Sequence, residues 1–299
     1  MKISAFLDNL SQNIEDQFEY AKRLNLECIS LRGMGDKKPY DLNEKDIDKI
    51  AELQRNSKVK IIEIAASLEK YECFDDAAHS LALSRLIKVA NLANKLGVLN
   101  ISMRLPSFKL VTVQEHNQIK ARINDYVKII EKAKRRLCLL RSKVDTGASF
   151  SVIAKEIKSK FVGVIFEPET IYRCKDSVST SYRVLKDRIF SVRVSDCDEL
   201  LNPQLIGYGK AELLDVFKKL KTDNFDGYLT FDNDFSSILN KKTIKKEKRS
   251  IKRLFINSKS QGFDMELFKK RMGVNENDEI SNFMIVDQQI QLLKQIFKD

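Results

Sequence analysis

Four charged side chains stand at or near the ends of short apolar runs, where a fold must place them deliberately. Arg141 closes Leu137-Cys-Leu-Leu, and Glu167 follows Val162-Gly-Val-Ile-Phe. Arg193 sits inside Ile189-Phe-Ser-Val-Arg-Val, and Asp232 follows Tyr228-Leu-Thr-Phe. Two carboxylates in such a set could transfer protons, with Glu167 or Asp232 as the base. The guanidinium groups could steady an enediolate-like anion or grip a phosphate or carboxylate through forked hydrogen bonds. The same four could instead neutralise one another as a partly buried ion-pair network. Arg32 and Arg104 end two further runs and add positive charge. Gly207 and Gly209, in Ile206-Gly-Tyr-Gly before a helix, would offer exposed amides to a second anion near Asp196.

Placing these groups requires strands that converge. Apolar alternation predicts strands at 2–7, 28–32, 60–66, 100–105, 137–141, 162–166, 189–194 and 228–231. Helical periodicity fills the gaps. Ser11 is the expected cap of a helix carrying Ile14, Phe18 and Ala21, and a second runs through Ile47, Ile50 and Leu53. Others are expected over 77–96 (stopped by Gly97), 118–134, 149–158, 177–186 and 211–220. Eight alternating βα units point to an α/β fold, a parallel sheet closed as a (β/α)8 TIM barrel. An open doubly wound sheet is the alternative, but no Gly-x-Gly-x-x-Gly follows the first strand. The division expected is a barrel over 1–257 and a C-terminal helical extension over 258–299. The stripe Phe283, Val286, Ile290, Leu293 and Phe297 in that extension packs on the barrel or on a second subunit.

In a parallel barrel the ligand end is the C-terminal one, and alternate side chains face inward. That phase turns Ser191, Arg193 and Ser195 inward and Phe190, Val192 and Val194 toward the helices. It also turns Ser30, Arg32, Arg141, Glu167 and Asp232 inward, so Arg141, Glu167, Arg193 and Asp232 form one expected ring of two cations and two anions.

Several segments resemble the xylose isomerase-like TIM barrels, the sugar-phosphate isomerase/epimerase superfamily that includes type IV AP endonucleases. They are Leu24-Asn-Leu-Glu-Cys-Ile-Ser-Leu-Arg32, Phe166-Glu-Pro-Glu-Thr170, Val192-Arg-Val-Ser-Asp196, Ile206-Gly-Tyr-Gly209 and Phe225-Asp-Gly-Tyr-Leu-Thr-Phe-Asp232. The resemblance spans 1–234 and implies carbohydrate chemistry at the barrel mouth. It also implies a divalent metal held by Glu, Asp or Glu, His and Glu on strands five to eight. Those positions fall on Arg141, Glu167, Arg193 and Asp232. Arginine cannot ligate a cation, so no metal ligand and no cofactor is expected. Arg32 and Lys70 match basic positions common in the family. With Arg104, Arg141 and Arg193 they make a cationic mouth suited to an anionic metabolite such as a sugar phosphate. A non-catalytic barrel binding a metabolite or a protein stays open beside an isomerase or epimerase. His79 and His116 both fall on expected helices, so a multi-zinc nuclease site lacks its ligands.

Composition narrows the classes. The 299 residues are 43% hydrophobic and 32% charged, enough for a large core. No run of about 18 apolar residues suggests a membrane span, and no signal peptide is expected at Met1-Lys-Ile-Ser-Ala-Phe-Leu. Five scattered cysteines without Cys-x-x-Cys read as reduced thiols of a cytoplasmic protein. The net charge of +11 owes much to Lys241–Arg253. That run reads as a helix with an apolar stripe and a solvated basic face. Nucleic acid is an unlikely partner, because no aromatic residues interleave with the lysines.

Overall fold

A computed structural model describes residues 1–142, 147–239, 263–275 and 277–298. Eight parallel strands form one sheet: β1 (Lys2–Ala5), β2 (Cys28–Leu31), β3 (Lys60–Ala65), β4 (Asn100–Arg104), β5 (Arg136–Leu140), β6 (Val162–Phe166), β7 (Ile189–Val194) and β10 (Tyr228–Phe231). Their order, β1-β10-β7-β6-β5-β4-β3-β2, is that of a barrel opened on paper. The ring closes through a parallel bridge between Phe6 and Ser30 and a hydroxyl pair, Ser4 Oγ to Ser30 Oγ, at 3.1 Å. A two-strand ribbon, β8 (Asp196–Cys197) with β9 (Pro203–Gln204), was not expected and rises at the C-terminal end.

The helices are α1 (Ile14–Arg23), α2 (Glu44–Ser57), α3 (Asp76–Leu96), α4 (Val113–Ala133), α5 (Gly147–Glu156), α6 (Pro168–Arg173), α7 (Val178–Leu185), α8 (Leu213–Thr222), α9 (Ser236–Leu239), α10 (Met265–Arg271) and α11 (Asn282–Ile296). Their ends follow local chemistry. Asn13, rather than Ser11, caps α1, because its side chain reaches the Glu15 amide; Ser11 Oγ instead donates to Asp16 at 2.7 Å. α3 stops at Gly97 in the left-handed conformation, φ 70°. None of the described helices is long and apolar enough to cross a membrane.

α11 occupies the place of the eighth barrel helix, between α8 and α1. Phe283 lies against Tyr20 of α1 at 5.4 Å between ring centres, and Phe297 against Phe217 of α8 at 5.1 Å. Lys294 Nζ donates to the carbonyls of Leu24 at 2.8 Å and Asn25 at 2.7 Å, where α1 ends. Ile285, Val286, Ile290 and Leu293 are buried in the same core as the barrel strands. The expected break at 257/258 lies outside the described residues, and α11 beyond it packs on the barrel. Of the two places expected for the stripe, the barrel and a second subunit, it takes the barrel, where it covers apolar side chains that would otherwise be bare. The basic run 241–253 lies outside the described residues.

Inside the ring the packing is unusual for this architecture, where branched apolar side chains dominate. Cys138, Leu140 and Ile165 form a small inner cluster with Phe190 packed on it. Phe190 thus belongs to the barrel interior and not to the helix layer. The β6–β7 register shifts between Val164 and Ile165. Gly163 makes room for the ring, since a Cβ there would lie 2.6 Å from Phe190 Cγ. Toward the C-terminal end the inner residues become polar: Ser4, Ser30, Glu63, Ser102, Arg193 and Thr230 are all buried.

Candidate ligand site at the barrel mouth

The strand phase determines what reaches the C-terminal opening. A cavity of about 400 Å³ there is lined by Phe6, Arg32, Lys70, Arg104, Glu167, Arg193 and Asp232, with Ser67, Ser102 and apolar neighbours between them. Six expected site residues, Arg32, Lys70, Arg104, Glu167, Arg193 and Asp232, are thereby brought together. Arg141, Asp196, Gly207 and Gly209 lie elsewhere.

Arg193 is the centre of the arrangement. Its side chain is 7% exposed, and Nη2 donates to Glu63 Oε1 at 2.8 Å while Nε stands 3.7 Å from Asp232 Oδ2. The guanidinium carbon lies 4.6 Å from the centre of the Phe6 ring, whose face favours a cation. Burial disfavours the charge, but Glu63, Asp232 and Glu167 outweigh it and hold the pKa above the ordinary arginine value. Glu63 also accepts from Ser102 Oγ at 2.6 Å. Arg32 covers the other face of the opening, 4.0 Å from the Phe6 ring centre. It bridges Asp8 Oδ2 at 3.3 Å and Asp232 Oδ1 at 2.5 Å. Burial, joined by the charges of Asp232 and Asp234, lifts the Asp8 carboxyl above the usual range against the pull of Arg32. Arg104 forms a planar fork on Glu167, Nη1 to Oε2 and Nη2 to Oε1, both at 3.0 Å. Lys70 is exposed at the rim.

The expected cationic mouth is therefore a lattice. Arg32, Arg104 and Arg193 are matched by Asp8, Glu63, Glu167 and Asp232, of which the sequence reading used only two. Arg141 does not join the ring: Cys138 and Leu140 hold the inward phase of β5, so the next residue turns away. Its Nη1 donates to Asp176 Oδ2 at 2.7 Å, and the same oxygen accepts from the Gly147 amide at 2.9 Å. The second anion site is filled from within. Asp196 Oδ2 accepts from the amides of Gly207 and Gly209, and Oδ1 from those of Cys197 and Ala211, all at 3.0–3.1 Å. Burial raises this carboxyl while the four amides pull it down, and burial prevails. Asp196, Gly207 and Gly209 thus fold the loop above the mouth instead of presenting donors to a ligand.

Asp8 and Phe6 were missed and had weak signals, while Glu63 was weighed only as a partner for Arg32 or Arg104. Glu63 sits in Ile61-Ile-Glu-Ile-Ala, where a single carboxylate inside an apolar strand should have claimed a buried cation. The two histidines are accounted for outside the cavity. His79 Nδ1 is 2.8 Å from Tyr71 Oη and Nε2 is 3.3 Å from Asp125 Oδ2, and His116 pairs with Glu156 at 2.9 Å.

A divalent ion does not fit this donor set. The N–H groups of Arg193 already point at the Glu63 and Asp232 oxygens that an ion would need, and both Glu167 oxygens accept from Arg104. Among the described residues no group of three or more His, Cys, Asp or Glu could hold a metal.

No family model and no curated protein matches the chain. Solved structures do match it. D-allulose 3-epimerase from Methylomonas sp. is 13% identical with a TM-score of 0.67, over 99% of this chain and 98% of that one. The IOLI protein, solved with a bound zinc atom, is 16% identical with a TM-score of 0.67, over 79% of this chain and 90% of that one. A D-tagatose 3-epimerase-like protein is 18% identical with a TM-score of 0.64, over 81% of this chain and 100% of that one. At such identities the likeness is one of fold: the chain has the xylose isomerase-like (β/α)8 barrel that these structures share.

Proposed function

We propose that this chain, a barrel of the xylose isomerase-like fold, binds a small sugar-like metabolite bearing an anionic group, such as a sugar phosphate, without a metal ion. The observation that carries this reading is the Arg193 guanidinium, fixed between Glu63 and Asp232 at the inner end of the cavity. It supplies resident positive charge from the chain itself. The cavity, about 400 Å³, falls in the range of roughly 300–1,000 Å³ common for small-molecule sites. Lys70 at the rim and the partly exposed Arg32 and Arg104 provide donors for a phosphate or carboxylate.

If turnover accompanies binding, Asp232 or Glu167 is the proton-transfer base and the arginines steady the developing enediolate-like anion. A second reading, a binder without catalysis, is favoured by one specific feature. Both oxygens of Glu167 accept from Arg104, and the oxygens of Asp232 face Arg32 and Arg193. Glu167 must give up a hydrogen bond before it can take a proton, and Asp232 must take one against the charges of two guanidinium groups.

A thermal-shift screen of sugar phosphates, each with chelator and with added Mg²⁺ or Mn²⁺, tests the proposal. Ligand at a hundredfold excess over Kd should stabilise by about 2.7 kcal/mol, equally in both conditions. A shift that requires the divalent ion, or none with any sugar phosphate, refutes it. Exchange of substrate hydrogen with deuterated solvent separates turnover from binding alone.

A further inference from the structure

The inner residues just below the cavity form a polar layer whose hydrogen bonds are nearly complete. Ser4 Oγ and Ser30 Oγ pair at 3.1 Å. Ser102 Oγ donates to Glu63 Oε1, which also takes Arg193 Nη2. Two groups in this layer stand apart. Arg193 Nη1 and Thr230 Oγ1 are buried and have no hydrogen-bond partner among the described residues. Thr230 is 0% and Arg193 6% exposed.

The two residues are neighbours in the sheet. Arg193 and Thr230 are register partners across β7 and β10, so their backbones run about 4.8 Å apart and their side chains leave the same face of the sheet. Thr230 is in turn the register partner of Ser4 on β1, which confirms its inward direction. Leaving a buried donor without an acceptor is expensive, and more so for a charged one. An acceptor oxygen placed between them would satisfy both, a guanidinium N–H and a hydroxyl O–H converging on one atom. An alcohol oxygen, itself a donor in need of an acceptor, suits such a pair less well than an sp² oxygen carrying partial or full negative charge.

We infer that Arg193 Nη1 and Thr230 Oγ1 form a seat for a carbonyl or carboxylate oxygen of the ligand at the inner end of the mouth. The ligand class is thus a keto-sugar or sugar-acid derivative whose remaining anionic group lies toward Lys70. This inference rests on the mouth being a ligand site, as proposed above, and adds which atom of the ligand goes deepest. Arg193 Nη2 and Nε stay on Glu63 and Asp232, so the seat costs no existing ion pair.

Three probes share a phosphate and a three-carbon frame and differ in the sp² oxygen: dihydroxyacetone phosphate, 3-phosphoglycerate and glycerol 3-phosphate. Titration calorimetry on the full chain should show at least one of the first two binding about tenfold or more tightly than glycerol 3-phosphate, the worth of one charge-assisted hydrogen bond. Preference for the ketone assigns the seat to a carbonyl, and preference for the acid to a carboxylate. Thr230→Val keeps the side-chain shape and removes only an unpartnered hydroxyl, so it should fold as well as the parent. It should bring the preference to within about threefold. Thr230→Ser should restore the preference. Equal binding of all three probes, or a preference that survives Thr230→Val, refutes the seat while leaving the mouth reading in place. Binding of none of them overturns the mouth reading and the seat with it.

Discussion

Glu63→Gln is the sharpest test of the lattice, because it removes a charge and almost nothing else. The amide keeps the shape of the side chain and an oxygen for the Ser102 hydroxyl, 2.6 Å away. What it takes from Arg193 is the closest counter-charge, at 2.8 Å, leaving Asp232 at 3.7 Å on the Nε side. Breaking a buried ion pair by removing one partner typically costs about 3–5 kcal/mol. With Asp232 still in place, a loss of about 3 kcal/mol is expected, or roughly 6–12 °C in Tm at the 2–4 °C per kcal/mol of larger domains. Arg193→Met should cost a similar amount by leaving Glu63 buried and unpaired. The double variant leaves neither charge stranded and should lose little more than either single one. The coupling read from urea unfolding of the four proteins is therefore about 2–3 kcal/mol. It should persist in molar salt, since the pair is shielded from solvent. Additive single losses, or a Glu63→Gln protein within about 0.5 kcal/mol of the parent, would show that Arg193 is held by something other than this pair.

Other expectations follow from the same geometry. Gly209→Ala places a Cβ 2.1 Å from Asp196 Oδ1, so the four-amide cradle must open; a loss of about 2–3 kcal/mol is expected in urea unfolding, while ligand affinity at the mouth stays near that of the parent. Burial holds the His79 pKa below its free value of 6.5. The unfolded chain therefore binds that proton more readily, and stability should fall as pH drops below about 6.5. His79→Gln should flatten the curve between pH 6.5 and 5, and an unchanged slope would assign the pH dependence to other groups. Ile290→Ala removes a fully buried side chain of α11 and should cost about 2–5 kcal/mol. Light scattering should show the same oligomeric state as the parent, because that face is already covered by the chain's own barrel.

The strands were legible because alternation is a local property. Residues 162–166 and 189–194 are apolar runs of strand length, and the observed strands have the same bounds. Part of the site was legible for the same reason, since period-two phase alone turns Glu167 and Arg193 toward the opening. The failures are non-local or depend on a single-residue phase. Arg141 lies one residue past the inward Leu140, and that shift sends it to Asp176 instead of the ring. Phe190 entered the interior because Gly163, far away in sequence, leaves room for its ring. Gly207 and Gly209 do present their amides, as a Gly-x-Gly turn suggests, yet nothing local says that Asp196 will fill them. α11 was legible as an amphipathic helix, but its role as the eighth wall of the barrel follows from which apolar face lacked cover, a property of the closed ring.

A guanidinium, unlike a divalent ion, constrains what the mouth can do. Arginine brings one charge where such an ion brings two, so it balances fewer carboxylates; here Arg193 stands between two, and Arg32 must take a share of Asp232 and hold Asp8. That requirement accounts for the charges gathered around the Phe6 ring, whose centre lies 4.0 Å from the Arg32 guanidinium carbon and 4.6 Å from that of Arg193. A guanidinium also has no open coordination position and does not lower the pKa of a bound water as a Lewis-acidic metal does. It can only donate hydrogen bonds along fixed directions. Arg193 commits Nη2 to Glu63 at 2.8 Å, its Nε stands 3.7 Å from Asp232, beyond hydrogen-bond length, and Nη1 is buried without a partner among the described residues. On the seat proposed above, the group recognised at the deepest point is an acceptor oxygen above β7 and β10, and chemistry there is confined to polarising that oxygen or holding the charge that develops on it.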